Sequence, residues 1–570
     1  MPGIKTLLIL VVLVMLFLLF ARWAWWPQRH LPGNRVRYMN LRSHLRLHPG
    51  RGHATVFELW LHWGKWSVLR KSRRMRPGLS WWKRLRHPSW HSVFIGRGHY
   101  RHALRILAEL HVLIMSPPRK GKTLWLAKLL LRYPGPAIST SVKEDVFRFT
   151  SGIRERVGPV EVFNPEEIGG VPSTFAIDPV YGCEDKMVAS RRAVALVESV
   201  DTSKMKDGDW FRQKATTILA GLMHVGALLG ADMRMVAAWA FTSTDEVERT
   251  LVARGDREMA SVVRELHNSP AEKTAATFQM VLSQILGFLM FPELARCVLP
   301  EGGLGFDIRQ FIRSSGTLYM IADADNEVSP LAPLFAMILS EIKHEATAMG
   351  QQYGHGRLRR PFGWFLDEVV NICPVPLDKW LSHVGGLGVQ IFSVVHGEAQ
   401  LRKRWGDNGA QTIWDTSDVK LLLPGITDDN TLDKASKVLD KVSLRQRGQD
   451  AGSLRQRGQE YYTEHDVMTP GMIRALHDRL ALCIRGNRAP VLVHLPRVIR
   501  SPDYLWARLR GHDVADVGAV LAERQLVAEL AARYEAGESI TALQDGQPVP
   551  AGNGHPGNGH RPVYPWDGDA

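Results

Sequence analysis

Two short stretches of this 570-residue chain carry residues that could do chemistry on phosphates. The first is Ser116-Pro117-Pro118-Arg119-Lys120-Gly121-Lys122-Thr123. Gly-Lys-Thr between an apolar strand and a helix is the context that a Walker A phosphate-binding loop requires. In such a turn the backbone N–H groups and the helix N-terminus bind phosphate oxygens. Lys122 then meets the β- and γ-phosphates, and Thr123 ligates Mg2+. Ser116 stands where the usual pattern has its first glycine, so a serine has to fit that turn. The second stretch, Phe362-Gly-Trp-Phe-Leu-Asp367-Glu368, is an apolar run closed by two acids. Asp367 is suited to hold Mg2+ through water, and Glu368 to polarise an attacking water. The plain alternative is a strand end bearing a solvated acidic pair. Together the two stretches predict ATP or GTP binding, with Lys122 and Glu368 catalytic and Thr123 and Asp367 on the metal.

The elements that must position these residues are legible around them. His111–Met115 reads as a buried strand, and Leu124–Leu131 as a packed helix following the loop. Lys122 and Asp367 lie more than two hundred positions apart, far more than a few βα units need. Between Met187 and Cys297 the pattern is helical: Ile218, Leu222, Val225 and Leu229 recur at spacings of four, three and four, one face of a helix. Met259–Leu266 and Ala275–Met290 add further apolar faces. Strand-like runs include Ala137–Thr140, Val160–Phe163, Thr317–Ala322, Val389–Val395, Val419–Leu423, Leu480–Ile484 and Val491–Leu495. The expected fold is α/β: a mostly parallel P-loop NTPase (RecA-like) sheet over residues 90–186 and 300–510. An all-α domain over 187–299 interrupts it, and 511–570 is a C-terminal helix with a disordered tail.

The net charge of +15 is unevenly placed. Residues 1–110 hold 20 Lys and Arg against 2 Asp and Glu, so the remainder of the chain is slightly acidic. Basicity is therefore an N-terminal property and does not by itself make the later domains bind nucleic acid. Thr6–Ala21 contains no charged residue; extended to Trp26 it reaches the roughly 20 residues of a membrane-spanning helix. Arg22 would snorkel to the headgroups beside Trp23, Trp25 and Trp26. The rival, a cleaved signal peptide, lacks a small-residue cleavage site. The arginines that follow place the C-terminal bulk in the cytoplasm by the positive-inside rule. The expectation is a single-pass transmembrane helix in the inner membrane over residues 1–30, then a basic, Trp-rich juxtamembrane segment over 31–89. There Phe57–Leu69, with Trp60, Trp63 and Trp66, suits an amphipathic helix on an anionic leaflet, a solvated loop or a DNA contact. Cys183, Cys297, Cys373 and Cys483 are scattered without metal-ligand spacing, which fits a reduced compartment.

With these pieces assembled, the chain resembles the TraG/TraD group of type IV secretion coupling proteins over roughly residues 90–500. The similarity is carried by Pro117-Pro118-Arg119 ahead of Lys120-Gly121-Lys122-Thr123, and by Ser139-Thr-Ser-Val-Lys143-Glu-Asp145. Gly158–Pro165, Trp210-Phe211, Leu366-Asp-Glu-Val-Val-Asn371 and the stretch from Val389 through Gln400-Leu401 to Leu423 add to it. The resemblance implies a homo-hexameric ring in the inner membrane, with ATP at subunit interfaces and DNA in the channel. It implies relaxase-bound, single-stranded DNA as substrate, handed to a conjugative type IV secretion channel. His396 takes the place of a nucleotide-sensing Gln after the strand that follows the acidic pair. The turn Val384–Gly388 lacks the Arg expected to reach a neighbouring subunit's ATP. Arg402 and Arg404 are candidates to replace it across the interface, and Arg119 within one subunit.

Two rivals share parts of this pattern. A double-stranded DNA pump of the FtsK type has the P-loop and the anchor but no reason for the inserted helices. A nucleotide-binding scaffold that recruits substrates with little hydrolysis would explain Ser116, His396 and the missing Arg. Lys143 either approaches the phosphates or pairs with a local acid. Ser443–Gln449 recurs as Ser453–Gln459, a duplicated exposed loop or a set of DNA-phosphate contacts. Gly552–His555 recurs as Gly557–His560 in a disordered tail.

Overall fold

Runs of four to seven mostly apolar or small residues, too short for helices, build the centre of a sheet buried on both faces. In the computed structural model the described residues are 12–16 and 53–535, apart from 77, 99–100, 201–206, 269–271, 300–304, 324–329, 354, 440 and 448–459. The strands are β1 (Ser92–Arg97), β2 (Ala103–Leu107), β3 (Val112–Met115), β4 (Ala137–Ser141), β5 (Val160–Phe163), β6 (Thr317–Ile321) and β7 (Phe362–Leu366). They continue with β8 (Val389–Val395), β9 (Val419–Leu422), β10 (Lys441–Arg447), β11 (Glu460–Asp466), β12 (Leu480–Arg485) and β13 (Arg488–His494). Eleven of them form one sheet in the order β2-β1-β13-β12-β9-β3-β8-β7-β4-β6-β5. From β9 to β5 all neighbours are parallel. β12, β13, β1 and β2 extend the sheet antiparallel beyond β9. Every residue of β3 to β8 is buried, as parallel strands covered by helices on both faces must be.

β1 and β2 fall outside the sequence expectation because the basic run hides them. The signal was nevertheless present in β2, where buried Leu104 and Ile106 flank half-exposed Arg105, a period-two alternation. The segment before them also departs from expectation. Instead of one amphipathic helix over Phe57–Leu69, the chain makes two helices, Val56–His62 and Lys65–Met75, separated at Gly64. Trp63, at the break, is 1% exposed and shares a core with Leu59, Val68, Ile95 and Ile106. The Arg105 N–H donates to the Trp63 carbonyl at 2.8 Å, so the segment docks on β2. Phe57, Trp60 and Trp66 remain exposed.

Between Lys186 and Val298 every regular element among the described residues is helical. Ile218, Leu222 and Val225 are fully buried on the helix Gly208–Leu229, while Leu229 is exposed at its end. These helices do not form a separate core. Leu222, Met223, Phe278 and Ile285 belong to the same continuous cluster as Phe335 and Ile338 on the helix Ala332–Gln352 and Trp364 on β7. The first inserted helix, Lys186–Glu198, is tied to that layer by Arg191, whose Nε lies 2.8 Å from Glu341 Oε1.

The expected anchor falls outside the described residues except for Val12–Leu16, which are helical and exposed. Among the described residues no single helix is long and apolar enough to cross a membrane; one pair, Ala275–Met290 with Pro292–Val298, qualifies only across a 91° bend. The four cysteines are free and buried. The first copy of the duplicated segment lies mostly in β10, which pairs antiparallel with β11 rather than forming a loop; the second copy, 453–459, lies outside the described residues, as does the repeat at 552–560.

Candidate active site

β3, β8 and β7 are consecutive, parallel neighbours, so their carboxyl ends open side by side. β3 runs into the loop at Ser116, β8 ends before His396, and β7 ends before Asp367 and Glu368. Three segments far apart in sequence thus converge in the crevice where open α/β sheets place their ligands.

The loop itself explains the tolerated serine. Ser116 is fully buried and keeps to the sheet: its N–H donates to the Val395 carbonyl at 2.9 Å, and its hydroxyl to the Pro117 carbonyl at 3.0 Å. The left-handed turns fall later, at Arg119 (φ 62°) and Gly121 (φ 81°). Gly121 caps the helix Lys122–Leu131, whose amides at its N-terminus are unpaired by helix geometry. Trp125 locks this helix to the sheet through an indole N–H donated to the Ile95 carbonyl at 2.8 Å. Lys120 turns its ammonium away to Asp478, 3.1 Å distant.

Lys122 is buried and lies 3.2 Å from Asp367 Oδ1, with a second ion pair to Glu368 Oε1. Burial pulls the ammonium pKa down, but the two carboxylates outweigh it and hold Lys122 above its ordinary value. Burial pushes Asp367 above the usual carboxylate range; Lys122 pulls against this and Glu368 adds to it. The Thr123 hydroxyl is 3.4 Å from Asp367 Oδ2, which sets two hard oxygen ligands side by side. That donor set fits Mg2+, which takes one or two protein oxygens and completes its shell with water and phosphate. Thr140, from neighbouring β4, donates its hydroxyl to the Asp367 carbonyl at 2.9 Å and so fixes the strand end. The sequence reading missed Thr140; its signal is the polar Ser139-Thr140-Ser141 closing a buried strand. Glu368 adopts a left-handed backbone (φ 52°), which costs a non-glycine residue about 1–3 kcal/mol and turns its carboxylate toward Lys122.

His396 joins the loop to the acids. Its Nδ1 is 3.0 Å from the Ser116 carbonyl oxygen, and its Nε2 is 3.4 Å from Glu368 Oε2. The structure therefore brings together Ser116, Lys122, Thr123, Asp367, Glu368 and His396, while Pro117, Pro118 and Arg119 form the rim of the loop. Lys143 stands in the turn after β4 with its N–H on Ser141 Oγ.

The two arginines proposed to reach across a subunit boundary are engaged elsewhere. Arg404 donates to the carbonyls of Glu198 (2.9 Å), Ser199 (2.7 Å) and Pro374 (3.4 Å), capping the end of the first inserted helix. Arg402 pairs with buried Glu398 at 2.9 Å.

Residues 361–478 match the family model described as the TraM recognition site of TraD and TraG. That span takes in β7 with its acidic pair, β8, β9, β10 and β11. Among solved structures, the unbound bacterial conjugative coupling protein TrwBdeltaN70 superposes with a TM-score of 0.52 at 18% identity, covering 70% of this chain and 87% of that one. The fold is that of a conjugative coupling protein. TrwB in complex with a non-hydrolysable ATP analogue gives 0.51 at 19% identity, covering 70% and 88%. TrwB in complex with ADP and Mg2+ gives 0.52 at 19% identity, covering 70% and 87%. No curated protein sequence matches the chain. The coupling-protein fold thus extends well beyond the matched segment, to both sides of the inserted helices.

Proposed function

We propose that this chain is an ATP-driven coupling protein that passes relaxase-bound DNA to a conjugative secretion channel. The observation that carries the reading is the convergence of Lys122, Asp367, Glu368 and His396 at three adjacent strand ends, in a coupling-protein fold whose 361–478 segment matches the model of the TraM recognition site of TraD and TraG. That combination favours coupling over a double-stranded DNA pump, which shares the P-loop and the anchor but gives no reason for the inserted helices.

In this reading the loop amides and Lys122 bind the triphosphate. Phosphate oxygens displace Glu368 from Lys122, and the released carboxylate takes a proton from the attacking water. The water oxygen bonds to the γ-phosphorus as the bond to the β-phosphate oxygen breaks, leaving ADP and phosphate. Thr123 and Asp367 would hold Mg2+, which when bound neutralises charge on the β- and γ-phosphates. His396 connects Glu368 to the Ser116 carbonyl and so couples the carboxylate's position to the loop. Assembly as a homo-hexamer on the inner membrane, with residues 1–30 spanning it and the bulk cytoplasmic, completes the proposal. Exposed Phe57, Trp60, Trp66 and Trp82 near Arg70, Arg73 and Arg86 support a lipid-facing N-terminal collar.

The decisive experiment measures ATPase of the full-length protein with and without single-stranded DNA, alongside plasmid transfer between cells. The parent should show DNA-stimulated turnover and support transfer; Lys122→Ala should lose both. Transfer sustained by Lys122→Ala would overturn the motor and leave the scaffold, a reading favoured by the prior engagement of Arg402 and Arg404.

A further inference from the structure

Among the described residues, one arginine, Arg497, reaches the phosphate-binding loop, and neither it nor the neighbouring Arg479 and Arg500 forms a salt bridge. The chain leaves β13 at His494 and runs along the P-loop helix, where Ser501 and Asp503 bind Lys128 and Arg132. This contact fixes the course of the strand exit. Just upstream, Arg497 extends to the loop: a side-chain carbon added at Gly121 would stand 4.0 Å from Arg497 Nη2. Arg479 enters from the start of β12, where its carbonyl accepts the Leu495 N–H at 3.0 Å. Arg500 closes the same short turn, Val498–Arg500. Burial lowers the Arg479 pKa, and the fields of Arg500 and Arg497 lower it further, so the three positive groups act on one another. The acids next to them in sequence are committed: Asp503 to Arg132 and Lys128, and Asp478 to Lys120. Like charges held together at a rim repel one another, and an anion entering among them removes that cost.

We infer that Arg497 is a phosphate-binding residue of the nucleotide site, acting within its own subunit, with Arg479 and Arg500 strengthening the positive field around it. The inference rests on the proposed nucleotide site and adds a residue to it from the opposite, antiparallel part of the sheet. It also answers the missing Arg in the Val384–Gly388 turn. Charge is supplied from the segment leaving β13 of the same chain, while Arg402 and Arg404 are held by Glu398 and by helix-end carbonyls.

The test uses full-length protein in detergent and a fluorescent ATP analogue. Arg497→Ala should weaken binding of the analogue at least tenfold, and Arg497→Lys should recover part of the loss, since a point charge replaces the fork. The thermal midpoint of Arg497→Ala should match the parent, because the guanidinium supports no described structural contact. Mixing Arg497→Ala with Lys122→Ala subunits should restore no turnover, since both groups are needed in one subunit. Parental affinity in Arg497→Ala, with affinity lost in Lys122→Ala, overturns the inference and leaves the nucleotide site standing. Parental affinity in both variants overturns the site itself. Restored turnover in the mixture overturns the same-subunit assignment.

Discussion

Truncating Arg404 to alanine separates a structural arginine from one that works across a subunit boundary. The side chain donates to the carbonyls of Glu198, Ser199 and Pro374. The first two close the helix Lys186–Glu198, where carbonyls have no partner within the helix. A hydrogen bond from a charged donor contributes about 1.5–3 kcal/mol, and a cation at a helix C-terminus roughly 0.3–1 kcal/mol more. The group is only partly buried, so water replaces some of what is lost, and the third contact at 3.4 Å is weak. A net loss of about 2 kcal/mol is expected. It should appear as roughly 30-fold faster amide hydrogen exchange in the last turn of that helix. Arg404→Lys should recover only a fraction, because these contacts all come from Nη2 and a shorter, more strongly hydrated ammonium does not reach the same place. Mixtures of Arg404→Ala with Lys122→Ala subunits should regain no ATPase. Unchanged exchange in the helix together with regained turnover in the mixture would refute the capping role and make Arg404 a residue of the neighbouring site.

Glu368→Gln should bind ATP as the parent does yet hydrolyse it about 10²–10⁴-fold more slowly, the usual worth of a positioned base; parental turnover would remove Glu368 from the chemistry. Arg154→Met should cost about 3 kcal/mol in urea denaturation, since this fully buried guanidinium satisfies the Tyr133 and Gly135 carbonyls and Thr317 Oγ1 at 2.7–2.8 Å. Stability should fall on acidification between about pH 6.5 and 4. Burial lowers His91 and His111 to about 4, so below pH 6.5 the unfolded chain takes up protons that the folded chain refuses. Each contributes on the order of 3 kcal/mol over that window. His111→Gln, which still accepts the Ile391 N–H, should flatten the pH dependence of the urea midpoint. Anionic vesicles should bind the full-length protein less well after Trp66→Ser and Trp82→Ser, and added salt should weaken the contact; equal binding by parent and variant would detach these side chains from the lipid.

What could be read in advance follows from where the information is local. β3 and β7 are unbroken apolar runs, and β8 is broken only by Gln390 and Ser393; each is followed by chemistry-bearing residues, so both strand and site residue were visible together. His396 and Thr140 show the limit. Their partners, Glu368 and the Asp367 carbonyl, come from strands adjacent only after folding. Arg497 is further from reach, because nothing in a Leu-Pro-Arg stretch announces that β13 returns to the P-loop helix. Composition misled at Trp63: spaced with Trp60 and Trp66 it resembles one stripe, but the break at Gly64 sends it into the core and leaves the other two outside. The arginines of the Arg97–Arg105 region masked β1 and β2 because edge-region strands tolerate cations on one face.

Among the described residues the inserted helices share the core of the sheet layer, and this constrains how the protein can be recombined. A helical region with its own interior could be exchanged between relatives at two loop junctions. Here the first inserted helix is tied at its middle, by Glu341 to Arg191, and at its end, by Arg404 to the terminal carbonyls, and its apolar residues share a core with Phe335 and Ile338. A chimera that imports a foreign helical region must therefore import matching residues on the helices Ala332–Gln352 and Glu398–Thr416 as well. The helical region and the packing against the sheet would then be inherited together, as one unit.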